Sequence, residues 1–233
     1  MKNRMKLLIL CLLCMALLFP LTSCAEKHDL LYSEEHDGIT YCVRGTGNTA
    51  KQIVVKEGDK ILWYQTIEID KSVGNLNDRY GLEILDLNFD GQLDLMIAEK
   101  VEDQLVSSLC WIKPEEGYQY QASEVLSGLN NIKADERLKA IFGFSHTVIY
   151  EQEYGDEKPY KVSTDTTTKY VWEGGECIPH IRVSLTYYEK TDRYCYSVAY
   201  YDETAKEFEA SNDIWLTAEE YREEDMSFLY YFR

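Results

Sequence analysis

Along most of the chain apolar and polar residues alternate with a period of two. That spacing sends one set of side chains to a buried sheet face and the other to water. Ile61, Trp63, Ile67 and Ile69 share one such face, and Gly58-Asp59 just before them predicts a hairpin back to residues 52–56. Ile181, Val183, Leu185 and Tyr187 alternate with Arg182, Ser184 and Thr186, and after a turn over residues 190–193 the pattern resumes at Tyr194, Tyr196, Val198 and Tyr200. A further hairpin is predicted where residues 169–172 meet Glu173-Gly174-Gly175 and then Glu176, because paired glycines reach the positive φ of a tight turn. Helical signals are few. Thr217 with Glu220 three places on forms a capping box that predicts a helix over 218–224, and a second short helix is predicted over 135–141. Leu229, Tyr230, Tyr231 and Phe232 predict a closing strand. The expected fold is all-β: an antiparallel sandwich or a small propeller-like domain with a short C-terminal helix.

The start of the chain follows a different pattern. Lys2, Arg4 and Lys6 precede an apolar run over residues 7–18, which is short for a bilayer, and Leu21-Thr22-Ser23-Cys24 closes it. This reads as a bacterial lipoprotein signal over residues 1–23, with Cys24 as the lipidated first residue of the mature protein. Two or three acyl chains anchor firmly where one alone binds weakly, each buried methylene adding about 0.8 kcal/mol. The alternative is an uncleaved membrane anchor, which Pro20 and the polar Thr22-Ser23 disfavour. Both place the rest of the chain outside the cytoplasm, in the cell envelope. Residues 24–38, with Glu34, Glu35 and Asp37, read as a polar tether, and residues 39–233 as a single β-rich domain.

Charge narrows the partners. The chain has 24 basic and 41 acidic residues, a net charge of −17, and loss of the leader brings the mature protein to −20. Such a surface repels nucleic acid and anionic headgroups and favours cations or basic proteins. Cys42, Cys110, Cys177 and Cys195 remain after the leader and the lipid site are set aside. An even number outside the cytoplasm allows two disulfides in any of three pairings; buried free thiols are the alternative. None of the four has the C-x-x-C spacing of a zinc or redox site.

The sharpest motif is Asp86-Leu87-Asn88-Phe89-Asp90-Gly91-Gln92-Leu93-Asp94, in which side chains bearing oxygen recur at every second place and a glycine follows the third. A calcium ion takes six to eight oxygens. Asp86, Asn88 and Asp90 can converge as the backbone coils, Gly91 permits the turn, Gln92 offers its carbonyl, and Asp94 closes directly or through water. Position twelve is Ile97 where an EF-hand needs glutamate, and Leu82, Ile84, Leu93, Leu95 and Ile97 alternate as strands do. The expectation is a strand-loop-strand calcium turn, structural in role, with an affinity on the order of 10⁻⁴–10⁻³ M. A metal-free polar hairpin held by side-chain to backbone bonds is the competing reading.

The run from Asp86 to Gly91 resembles the aspartate-rich turn of FG-GAP/VCBS-type repeats. The longer run from Leu85 to Ile97, together with Trp111-Ile112, Lys113-Pro114 and Tyr170-Val171-Trp172, is similar to a group of exported bacterial lipoproteins that carry one such turn. That group includes a β-propeller-like immunity protein inhibiting a glycoside hydrolase toxin of a bacteria-killing secretion system. The resemblance implies a calcium-stabilised binding protein acting as inhibitor or immunity protein for an enzyme such as a cell-wall hydrolase, and the acidic surface suits a basic enzyme of that sort. The alternative is a glycan- or solute-binding surface lipoprotein using Trp111, Trp172 or Trp215. Catalysis has little to rest on. His28, His36, His146 and His180 lie in no nucleophile, zinc or triad motif, and Ser145-His146 adjacency does not make a dyad. Carboxylates abound, so a glycoside hydrolase is the weaker third reading.

Overall fold

The computed structural model describes residues 28–47, 49–69, 81–102, 105–155 and 157–223. The leader, Cys24 and the closing strand expected at 229–232 lie outside them. Four strands, β1 (Asp29–His36), β2 (Ile39–Thr46), β3 (Thr49–Glu57) and β4 (Lys60–Thr66), form an antiparallel meander in chain order. A second antiparallel sheet of ten strands begins with β5 (Leu82–Leu85), β6 (Asp94–Glu102), β7 (Leu105–Ile112) and the short β8 (Gln121–Ala122). It continues through β9 (Asn130–Asp135), β10 (Ala140–Glu151), β11 (Tyr160–Glu173), β12 (Glu176–Tyr188), β13 (Arg193–Asp202) and β14 (Glu207–Thr217).

The two sheets meet face to face at one end only. Val43, Ile53 and Val55 of the small sheet and Leu95 and Ile97 of the large one are fully buried in one shared core, with Trp63 edge-on to Trp111 at 6.1 Å. Each such side chain stabilises by about 1.5–3 kcal/mol, which makes this sandwich the anchor of the fold. The opposite face of β6 and β7 carries a second core around Leu87, Met96, Cys110, Leu126 and Ile141. Leu126 comes from α1 (Glu124–Ser127), a single turn whose N-cap Ser123 accepts from the Leu126 amide. Strands β10 to β14 run on past the sandwich, and a third cluster of Ile181, Val183, Tyr196 and Val198 lies on one of their faces. The C-terminal helix α2 (Ala218–Glu223) starts where the capping box predicted: the Glu220 amide donates to Thr217 Oγ1 at 3.2 Å, and the Thr217 amide to Glu220 Oε2 at 2.7 Å. The architecture is thus the all-β sandwich with a short C-terminal helix.

Three local expectations are corrected. The tether reading fails from Asp29 to His36, which pair with β2 as a strand; the polar side chains of Ser33, Glu34 and Glu35 decorate a sheet edge rather than a linker. No helix forms over 135–141: Asp135 Oδ1 accepts the Leu138 amide at 2.9 Å and Lys139 takes a φ of +48°, so the segment is the tight turn between β9 and β10. Ile61 does not share the buried face of Trp63. A register shift opposite Val55 and Lys56 rotates it outward to 55% exposure.

Candidate functional site

The aspartate motif forms the connection between β5 and β6. Two residues take left-handed backbone there, Phe89 at φ +61° and Gly91 at φ +85°, and these coil the chain tightly enough to gather the polar side chains. Asp86 accepts from the Asp90 amide at 3.1 Å and the Gly91 amide at 2.7 Å, one on each oxygen. Asn88 Oδ1 accepts the Asp90 amide at 3.2 Å, and Asp90 Oδ1 accepts the Gln92 amide at 2.8 Å. Asn88 Nδ2 donates to Asp90 Oδ2 at 2.9 Å, and the Asp90 amide is shared by Asp86 and Asn88, which gathers the three side chains about one amide. Each acceptor oxygen keeps a second lone pair, and the set opens to solvent.

Asp94 is placed elsewhere. It is fully buried behind the turn, where Oδ2 accepts the Leu87 amide and Oδ1 the Lys113 amide, both at 2.7 Å. Burial pushes its carboxyl up to about 6; the two amides oppose that shift, and the nearby charges of Asp90 and Asp86 add to it. The Gln92 side chain is engaged by Lys113 Nζ. Trp172 Nε1 donates to the Leu87 carbonyl at 2.8 Å and Tyr120 Oη to the Leu93 carbonyl at 3.1 Å. The turn is therefore bolted from behind to β7, β11 and the segment before β8.

These residues fit a calcium ion in part. Asp86, Asn88 and Asp90 stand together as the first three places of a calcium loop require, with the Gln92 carbonyl next in the spacing. Among the described residues no three His, Cys, Asp or Glu side chains converge, because Asp94 serves as an internal staple. Calcium bound here would join the turn's outer oxygens and neutralise two carboxylates.

The four cysteines are free thiols, which corrects the two-disulfide reading. Cys42 lies in the small sheet and Cys195 in β13, while Cys110 and Cys177 border one core without bonding. Burial, with lesser contributions from Asp94, Cys177 and Glu83, pushes the Cys110 thiol up to about 12, and burial alone does the same for Cys177. Of the tryptophans offered for stacking on sugars, Trp111 is buried and Trp172 is tied to the turn; Trp215 is 45% exposed. Ser145 and His146 do not form a dyad. His146 Nδ1 lies 2.7 Å from Asp165 on one face of the sheet, and strand alternation sends Ser145 to the other.

Sequence reasoning missed two features. One is the outer edge of β10, with which no described strand pairs beyond Phe144; the other is the Ser/Thr-rich face of β10 to β12, whose signal was present in Thr164, Thr166 and Thr168 at a period of two.

No family model matches the chain, and no curated protein matches it. A solved structure described as a Xanthomonas type IV secretion system related protein is similar in fold. It is 13% identical with a TM-score of 0.51, and the match covers 78% of this chain and 92% of that one. At that identity the likeness speaks to the fold.

Proposed function

We propose that this is a lipid-anchored binding protein of the bacterial envelope, stabilised by calcium at its aspartate turn. It acts by docking an extended segment of a basic cell-wall hydrolase and inhibiting it. The observation that carries this reading is the open edge of β10. All 12 of its residues pair with β11, but β9 covers only the stretch from Ala140 to Phe144. Beyond it, no described strand pairs with the outer edge, and every residue from Phe144 to Tyr150 is exposed, Ile149 to 47% and Tyr150 to 72%.

Sheet proteins ordinarily guard such an edge with lysine, proline or a covering loop. Here Ser145-His146-Thr147-Val148-Ile149-Tyr150 contains no lysine or proline and no described segment covers it, and unpaired backbone groups beside β-branched and aromatic side chains are what strand addition uses. The net charge of −17 steers a basic partner toward it. The description of the similarly folded Xanthomonas protein agrees with the setting that the resemblance implies.

The test is a peptidoglycan turbidity assay using basic hydrolases exported by competing bacteria. Wild-type protein is expected to slow lysis by its cognate enzyme, less so at high salt, and Ile149→Lys, which places a charge on the open edge, to lose the effect. Full hydrolase activity across the panel, or equal inhibition by Ile149→Lys, refutes the reading.

A further inference from the structure

Arg182 is the observation to explain. Its guanidinium lies 3.9 Å from the centre of the Phe208 ring and is exposed, and it makes no hydrogen bond or ion pair among the described residues. In a chain with 41 acidic residues, an arginine held by an aromatic ring and left without a carboxylate has all its donors available. The register shows what surrounds it. Arg182, Ser184 and Thr186 of β12 stand opposite Thr168, Thr166 and Thr164 of β11, which stand opposite Gly143, Ser145 and Thr147 of β10. Side chains directly opposite share a face, so these positions form one patch rich in hydroxyls and free of acid. Thr166 Oγ1 and Ser184 Oγ lie 3.1 Å apart and Thr164 Oγ1 and Thr186 Oγ1 3.0 Å apart. Each pair spends one donor and leaves the other hydroxyl hydrogen and spare lone pairs for a ligand.

The patch is also concave. Gly128, Leu129 and Asn130, which lead into β9, wall one side of a cavity of about 380 Å³ that reaches Ser145, Thr166, Tyr170 and Arg182. Gly143 permits the wall: a Cβ there would lie 3.0–3.2 Å from the Leu129 side chain and force it outward. The cavity therefore presents an arginine fork at one end, alcohols along its floor, and Leu129 and the Tyr170 ring as apolar surface. Its size falls at the lower end of small-ligand pockets.

The geometry points to a binding site for a small acidic saccharide, whose carboxylate pairs with Arg182 and whose hydroxyls meet Ser145, Thr166 and Ser184. A neutral sugar leaves the guanidinium unpaired, and a bare carboxylate leaves the floor and the apolar wall unused. Of the side chains named for the saccharide only Ser145 also lies on the open β10 edge, where strand addition takes backbone groups; Arg182, Thr166 and Ser184 lie on β11 and β12, and the site needs no protein partner, so the two stand or fall separately.

Calorimetric titration of the full-length chain in detergent with D-glucuronate, D-glucose and acetate tests it. Glucuronate is expected to bind, with glucose and acetate each at least about tenfold weaker, and Arg182→Gln to lose about tenfold or more in glucuronate affinity. Arg182→Lys, which keeps the charge without the fork, falls between, and Ser184→Ala weakens glucuronate by a smaller factor. Arg182 is exposed, so an unchanged thermal midpoint shows that the variant is folded. Absence of glucuronate binding, acetate matching glucuronate, or undiminished binding by Arg182→Gln overturns the assignment.

Discussion

Replacing Asp94 by asparagine separates the two forces acting on the aspartate turn. The side chain is fully buried and accepts two amides at 2.7 Å, and yet burial holds its carboxyl at about 6 against an ordinary 3.8. A shift of about two units corresponds to roughly 3 kcal/mol. Its sign follows from proton counting. Between pH 4 and pH 6 the folded state holds a proton that the unfolded state has released, so stability due to this group is fully present below the unfolded value and is lost as pH rises through about 6. Asparagine has no such dependence, although it turns an NH₂ toward one of the two amides, a fixed cost of roughly 1–3 kcal/mol.

Denaturant unfolding of wild type and Asp94→Asn in chelator at pH 4, 5, 6 and 7 reads the difference, because the other carboxylates cancel between the two proteins. The variant is expected to gain roughly 2 kcal/mol on the wild type between pH 4 and pH 7, the rest of the difference lying below pH 4. A gap that stays constant, or one that moves in the wild type's favour, refutes the argument: it means that the two amides outweigh burial. Repeating the series in calcium adds a second arm. A cation on Asp86 and Asp90 favours the ionised Asp94 beneath them, so the gain shrinks.

Two further outcomes are expected. Calcium at about ten times its dissociation constant stabilises by about 1.4 kcal/mol, which for a domain of this size raises the thermal midpoint by about 3–6 °C; chelator reverses the rise and Asp90→Ala abolishes it, and no shift by ~10 mM calcium reduces the turn to a polar hairpin. In a chain beginning at Ala25, Ellman titration finds four thiols after denaturation, while in the native state Cys110 and Cys177, held near 12, carry roughly a thousandfold less thiolate than an ordinary cysteine and react correspondingly slowly; fewer than four thiols in denaturant contradicts the structure.

What the sequence disclosed followed the range of the interactions involved. Strand alternation and the capping box at Thr217 and Glu220 are set by neighbours two or three residues apart, and both were legible. Strand β1 was not, because its acidic residues match a linker in composition and only the register against β2 makes them a strand. Ile61 was misplaced by one residue of bulge, the smallest error that exchanges the two faces of a strand.

The same division runs through the sites. The outer shell of the aspartate turn is local: Asp86, Asn88 and Asp90 bond within five residues of one another, so their spacing alone predicted their convergence. Asp94 has the right residue type at the right interval and takes a different position, because the amide that claims it belongs to Lys113, 19 residues on, and the turn it closes is held by Trp172, 85 residues beyond Leu87. The hydroxyl patch lies between these cases. Its alternation is written in Thr164, Thr166 and Thr168, but its cavity depends on Leu129 folding against Gly143 and on Phe208 reaching Arg182 across β13. A local pattern can thus name the groups a site offers, while the long-range packing decides which of them face a ligand and which are consumed in holding the site together.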